Sequence, residues 1–329
     1  MSLGGRRTGP GPLAAYLPVV FFLVTLNFVL PRALPGDPIP ALTDARSESF
    51  VGDDATRTKV ERYYGLDRPA LEQYGDYMGG LAHGDLGTSI RYNRPVTEVV
   101  GARLGWTALL VGTALGLATG VGMLAGVHSG WRRGRPADRR LLGLFLALDN
   151  FPVFFLASVV AIMFAVKLGW FPLSGARTPF SEEYGPVQKA VDVADHLVLP
   201  AIVMALQFAT FQYLVMRASM VGELGSDYLL LGRAKGLAER TLKYRYAARN
   251  ALLPSVTVAA LQLGFAVTAA VFVERVFAYP GIGRLMFESV SDRDYPMMQG
   301  CFLVLAVAVV TANFATDLAY RRLDPRTVT

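Results

Sequence analysis

The sequence is short of the residues on which most soluble enzymes and secreted modules depend. Of 329 residues only 18% are charged, three are histidine and one, Cys301, is cysteine. A lone cysteine excludes an internal disulfide framework. The histidines, His83, His128 and His196, lie too far apart for a metal-ligand pattern. No Gly-x-x-x-x-Gly-Lys-Ser/Thr phosphate loop and no Gly-x-Ser-x-Gly elbow occurs, so neither ATP hydrolysis nor acyl transfer by this chain is expected. Low charge combined with 53% hydrophobic residues also excludes a disordered chain. The net charge is +6, but the basic residues fall between apolar runs instead of sharing one soluble face, which argues against a nucleic-acid partner.

What the chain does have is long apolar runs, six of them, at about 13–30, 105–127, 141–168, 197–216, 254–273 and 298–315. Each is long enough to cross roughly 30 Å of hydrocarbon. No ten-residue alternation suggests a barrel, and in lipid the backbone must satisfy its own hydrogen bonds, so the runs are read as helices. The predicted fold class is an all-α polytopic membrane protein with six transmembrane helices, a small extracytoplasmic subdomain and a cytoplasmic loop. The first run follows Arg6 and Arg7 and could be a cleaved signal peptide. Its apolar part is long and no small-residue cleavage site follows, which favours a retained anchor.

Alternate loops differ in charge. One set, including both termini, carries seventeen basic residues against five acidic ones; the other set is acidic on balance. By the positive-inside rule both termini are expected in the cytoplasm. The chain then divides into an N-terminus and first helix (1–30), an extracytoplasmic segment (31–104) and a five-helix core (105–329) with a cytoplasmic loop at about 217–253. Turn signals at Pro35–Pro38, Gly65–Pro69 and Gly84–Ser89 predict an ordered external segment, with short helices over about 54–64 and 70–82.

Within the cytoplasmic loop stands Asp227-Tyr228-Leu229-Leu230-Leu231-Gly232-Arg233-Ala234-Lys235-Gly236-Leu237. Asp227 suits a helix start, Arg233 and Lys235 suit its end, and Gly236 can take the left-handed conformation that closes it. Pro254 is read as a first-turn residue of the fifth membrane helix. The expected element is a short helix with an apolar patch of Tyr228, Leu229, Leu231 and Leu237. It could fill a groove on a soluble partner or lie among lipid headgroups; periodicity alone leaves both open.

These residues resemble the cytoplasmic "EAA" loop of ABC-importer permeases, in detail that of the dipeptide/oligopeptide/nickel family. The likeness spans nearly the whole chain, through Pro35-Gly36-Asp37-Pro38, Gly84-Asp85-Leu86-Gly87-Thr88-Ser89 and Gly169-Trp170-Phe171-Pro172. It continues through Arg249-Asn250-Ala251-Leu252-Leu253-Pro254, Phe277-Ala278-Tyr279-Pro280-Gly281-Ile282-Gly283, Asp294-Tyr295-Pro296 and Leu323-Asp324-Pro325-Arg326. Gly232 departs from the usual Ala, which is expected to loosen the helix by up to about 1 kcal/mol.

The resemblance implies a permease subunit in a bacterial or archaeal cell (inner) membrane that carries peptides or similar small solutes. It implies a second, homologous permease subunit, two cytoplasmic ATPase subunits that use the ATP, and an extracytoplasmic solute-binding protein. It implies no cofactor bound by this chain. Asp227, Tyr228, Leu229, Gly232, Arg233, Ala234, Lys235, Gly236 and Leu237 would form the ATPase-coupling loop. The solute stays open among dipeptides, oligopeptides, nickel complexes and glutathione. A secondary transporter would need charged or broken-helix sites near mid-membrane and inverted repeats, which are not evident; a scaffold recruiting a cytoplasmic partner is the third alternative.

Three features near the runs carry alternatives. Asp149 either lines the translocation path or pairs near the cytoplasmic surface. Glu274-Arg275 either gates the outer mouth or pairs at the interface. The glycines at 112, 116, 120, 122 and 126 are read as sites of close helix packing.

Overall fold

A computed structural model describes residues 12–33 and 67–323, with Thr58 and Arg62 described singly. The expected turn at Pro35–Pro38, the expected helix over 54–64, the start of the 65–69 turn and the tail motif from Asp324 lie outside the described residues.

Among the described residues the chain is helical, with a single antiparallel bridge between Thr88 and Pro95 as the one extended pairing. The helices are α1 (Pro12–Ala33), α2 (Ala70–Ala82), α3 (Val96–Trp131), α4 (Pro136–Asp149) and α5 (Val153–Val160). A π-helical turn, Ala161–Lys167, extends α5. There follow α6 (Pro186–Glu223), α7 (Asp227–Ala234), α8 (Ala248–Val276), α9 (Ile282–Asp292) and α10 (Tyr295–Leu323).

Four stretches are long and apolar enough to cross a bilayer alone: Val96–Trp131, Pro186–Glu223, Val258–Val276 and Tyr295–Phe314. The chain is therefore a polytopic helical membrane protein. The third apolar run differs from its expected single helix. It is two helices, α4 and α5, bent by 100° to one another. The cause is Asn150-Phe151-Pro152: proline lacks the N–H that would continue the ladder and drives the residue before it out of the helical region. The pair is a fifth crossing if it forms one span.

Pro254 also departs from its expected place. Helical turns over Glu239–Thr241 and Leu242–Ala247 run directly into α8, so Pro254 sits inside that helix instead of opening it. The π-helical register of Leu242–Ala247 carries the chain from the loop into the span without a break.

The chain divides into two compact units, one of Met1–Val100 with Glu288–Ala306 and one of Gly101–Phe287 with Val307–Thr329. In the first, Asn27 Nδ2 on α1 donates to the Gln299 carbonyl at 2.7 Å and to the Tyr77 hydroxyl at 3.1 Å. Two of the sequence motifs meet there. Asp294, the residue before α10, accepts the Ser89 hydroxyl at 2.5 Å and the Arg91 N–H at 3.0 Å with one carboxylate oxygen. The other oxygen caps α10 through the Met297 N–H at 3.1 Å.

In the second unit, α8 packs most extensively on α6, and α4 and α5 also lean on α6. The core there includes Leu110, Phe145, Met204, Phe208 and Tyr213, with Phe145 and Tyr213 stacked at 4.3 Å. Helices α3 and α6 touch backbone to backbone. A Cβ added at Gly122, Gly126 or Gly130 would come within 2.6–2.7 Å of the Gln212, Met216 or Met220 Cβ and within 2.7–2.9 Å of the α6 backbone. Gly122 and Gly126 thus fill the packing role expected of them, and Gly130 extends the row at the same four-residue step. Among the described residues a Cβ at Gly112, Gly116 or Gly120 meets nothing within 4 Å, so these three take no part in the α3–α6 contact.

Candidate functional site: a short helix between two long ones

The loop between α6 and α8 folds into a stiff corner. Glu223 ends α6, and its Oε2 accepts the Ser226 hydroxyl at 3.3 Å and the Tyr228 hydroxyl. Ser226 takes the extended N-cap conformation and α7 starts at Asp227, which supplies negative charge in the first turn, the second of its two expected roles. Burial, reinforced by the bond to Glu223, pushes the Tyr228 hydroxyl up from its ordinary pKa.

The other end closes on a glycine, as its sequence position suggests. Gly236 has φ +74°, the Leu237 N–H reaches the Gly232 carbonyl at 3.1 Å, and the Gly236 N–H reaches the Arg233 carbonyl at 2.9 Å. These two bonds make a Schellman closure, which needs the left-handed conformation at its pivot and excludes a β-branched residue there. Lys235 forms the C-cap, and Arg233 pairs with Glu239 at 3.2 Å across the turn.

The expected apolar patch of Tyr228, Leu229, Leu231 and Leu237 is divided between two faces of α7. Leu229 is 0% exposed and joins Val127, Met216, Met220, Leu242 and Ala251 in one cluster, with Tyr228 packed at its edge. Tyr228 and Leu229 therefore seat the helix on the ends of α3, α6 and α8. The outward apolar surface is Leu230 and Leu231, 67% and 56% exposed, with Leu237 beside them at 36%. Gly232 is buried in the seat: a Cβ there would stand 2.5 Å from Leu242 Cδ2. The expected loosening comes with a close approach of Leu242, whose Cδ2 an alanine Cβ would displace.

A buried ion pair fixes the support beneath this corner. Arg217 on α6 holds Asp138 in a two-pronged bond, Nε to Oδ1 at 2.7 Å and Nη2 to Oδ2 at 2.8 Å. Asp138 is 2% exposed and also accepts from Ser129 Oγ and from the Gly134 N–H, while Ser129 meets the Tyr213 hydroxyl at 2.6 Å. The arginine-rich turn after α3 is thereby tied to α6 six residues before its end. Nothing in local sequence pairs positions 138 and 217; only the fold brings them together.

The expected alternatives for the other ionisable residues resolve differently. Among the described residues Glu274 makes no ion pair, and it does not open to solvent. It is fully buried, accepting from Thr107 Oγ1 at 2.7 Å and from the Arg284 N–H at 3.0 Å, while Thr107 Oγ1 accepts the Ile282 N–H at 2.8 Å. The carboxylate thus satisfies the N-terminal turn of α9 from another helix. Gly281 permits this, since a Cβ there would lie 2.1 Å from the Glu274 carboxyl carbon. Tyr279, in the same turn, is buried, which holds its hydroxyl well above the usual phenol pKa. Asp149 is the exposed last residue of α4, at the bend into α5. Among the described residues no group of three or more His, Cys, Asp or Glu could hold a metal ion.

Residues 118–329 match the family model described as binding-protein-dependent transport system inner membrane component. A putative peptide permease protein of Brucella suis biovar 1 is 36% identical over 312 residues, spanning 94% of this chain and 95% of its own length. A di/tripeptide transport system permease protein of Pseudomonas aeruginosa is 33% identical over 330 residues, with 95% and 96% covered. A glutathione transport system permease protein of Escherichia coli K12 is 31% identical over 313 residues, again with 95% and 96% covered.

Proposed function

This chain belongs to the family of binding-protein-dependent transport system inner membrane components, and from that premise we propose how it passes force from outside the membrane into its bundle. It is a transmembrane permease subunit of an ATP-driven ABC importer. The names of its relatives point to peptides or similar small solutes, glutathione among them, as the cargo. In this reading α1 adds a sixth crossing, both termini lie in the cytoplasm, and a homologous second permease completes the pathway. An extracytoplasmic binding protein delivers the solute. Two separate ATPase subunits supply the work, and this chain binds no cofactor. Asp149, at the α4–α5 bend, lines the path.

The observation that carries the reading is the two-sidedness of α7. One face is sealed by Leu229 against three long helices, and the other presents Leu230 and Leu231 uncovered. Large apolar side chains left exposed together on a helix held rigid at both ends suit a groove on a partner. Closure of the ATPase pair would push on this face. Because the Schellman closure and the Glu223 corner leave α7 no freedom to yield, the displacement passes through Leu229 and Leu242 into α6 and α8. The Asp138–Arg217 clamp makes α3 and α4 follow. The cavity then switches between outward and inward access.

Gly236→Val tests the lever. A β-branched residue held at φ +74° costs about 1–2 kcal/mol, so α7 should lose its closure while the distant spans stay inserted. Uptake of a labelled dipeptide by cells carrying the complete transporter is expected to fall at least tenfold, with an unchanged amount of the chain in the membrane. Undiminished uptake would overturn the coupling role.

A further inference from the structure

Beside α7 lies a cavity of about 770 Å³ that the lever mechanism does not use. Its walls come from four separate places: the end of α3, the turn after it, the end of α7 and the turns before α8. They carry five permanent cations, Arg132, Arg135, Arg233, Arg240 and Lys243, against the single carboxylate of Glu239. That carboxylate is already engaged by Arg233 at 3.2 Å.

Lys243 stands at the floor of this cluster, its side chain largely packed and its ammonium on the cavity wall. It is 8% exposed, and its polar neighbour is His128 Nδ1 at 3.4 Å, with the Tyr244 ring 4.6 Å from its ammonium. No ion pair to Lys243, Arg132, Arg135 or Arg240 exists among the described residues. Cations that converge on one hollow without a counter-charge repel one another, and a bound anion or a paired carboxylate relieves that repulsion. Among the described residues Glu239 is the one carboxylate there, and the hollow leaves room for an anion.

We propose that this cavity binds a phosphate-bearing anion, seated on Lys243 and held by Arg132, Arg135 and Arg240. Its volume falls in the range of small-molecule sites, and several convergent cations are the usual answer to a phosphate's charge and its oxygen acceptors. Phosphate chemistry has two available sources, the headgroup of an anionic phospholipid and a soluble phosphate. Trp131 and Tyr244 in the wall suit a headgroup, since aromatic rings favour the membrane interface. An occupant would bridge the end of α3 to Arg233 on α7. Its consequence for coupling rests on the lever reading given above; its binding does not.

The test uses the purified full-length chain. Thermal stability is measured in nanodiscs of phosphatidylcholine alone, in nanodiscs that also contain phosphatidylglycerol, and in phosphatidylcholine nanodiscs with added pyrophosphate. One of the two anions should raise the melting temperature. Stabilisation by the lipid alone identifies a headgroup site, and stabilisation by pyrophosphate alone a soluble one. Lys243→Met should abolish the response and should be no less stable than the wild type in phosphatidylcholine alone. Arg132→Gln and Arg240→Gln, both at exposed positions, should each weaken binding roughly fivefold. Arg139→Gln, outside the cavity, should change nothing. The proposal is overturned if neither anion stabilises the wild type, or if Lys243→Met and Arg139→Gln respond alike. It is also overturned if the cavity cations are required only for capture of the ATPase subunits, which would make the counter-charge a partner's carboxylate.

Discussion

The corner between α6 and α7 and the corner between α8 and α9 pose the same structural problem and answer it with opposite chemistry. Each sends the chain from a long helix into a short one through a turn containing glycine. At the α8–α9 corner the solution is polar and internal. A buried carboxylate, Glu274, and the Thr107 hydroxyl satisfy the free N–H groups of the new helix, and Gly281 yields its side-chain volume to let the carboxylate in. At the α6–α7 corner the helix is seated by apolar contacts through Leu229 and Leu242 and closed by backbone bonds at Gly236. The short helix of the first corner keeps Phe287 and Val290 at its surface, 44% and 38% exposed, with the Arg275 guanidinium over the Phe287 ring. The second leaves Leu230 and Leu231 more open, at 67% and 56%. A corner held by buried polar groups needs no apolar seat, whereas one seated on apolar contacts divides its apolar side chains between two faces.

That contrast can be broken by substitution. The largest loss of stability is expected from Glu274→Ala, which strands the Thr107 hydroxyl and the Arg284 N–H in a buried site. The cost should be about 3 kcal/mol, read as a lowered melting temperature of the detergent-solubilised chain. Glu274→Gln, which keeps an acceptor, should lose clearly less; equal losses would show that the cap is not what Glu274 provides. Asp138→Ala should rank second, at about 2–3 kcal/mol, because it leaves Arg217 and the Gly134 N–H without their acceptor beneath α7. The double variant Asp138→Ala with Arg217→Ala should cost less than the two single losses added together, as a double-mutant cycle in the same assay would show.

The smallest effect on stability, within about 0.5 kcal/mol, is expected from Leu231→Ser, since this side chain touches solvent more than protein. Its effect on function should nevertheless be large: co-purification of the ATPase subunits with the permease should fall severalfold. Leu229→Ser should do the reverse, destabilising the chain first. If Leu231→Ser also lowers the melting temperature sharply, the distinction between an inward and an outward face of α7 is wrong.

Much of this was legible from local residues. The α2 helix at Ala70–Ala82 falls where turn residues and composition predict a helix, and Gly236 closes α7 as its position after Arg233 and Lys235 suggests. The break at Phe151–Pro152 was equally local, a proline within an apolar run, yet run length concealed it. Other features lay beyond local reach. The inward turn of Tyr228 and Leu229 depends on what α7 lands on, and an eight-residue helix is too short for its own period to select a face. Asp138 reads as an ordinary first-turn acid until α6 delivers Arg217 to it. Gly112, Gly116 and Gly120 look no different in sequence from Gly122 and Gly126, but among the described residues the latter pair is the one that meets α6.

Long apolar runs by themselves determined that this chain spans a membrane as helices, because a backbone in hydrocarbon has no partner for its polar groups but itself. The spacing of charged, glycine and proline residues likewise determined where a short helix would stand between two long ones. Which side of that helix is offered outward, and which carboxylate meets which cation, only the tertiary structure decided. Those choices are made by contacts between residues far apart in the chain, and no local period encodes them.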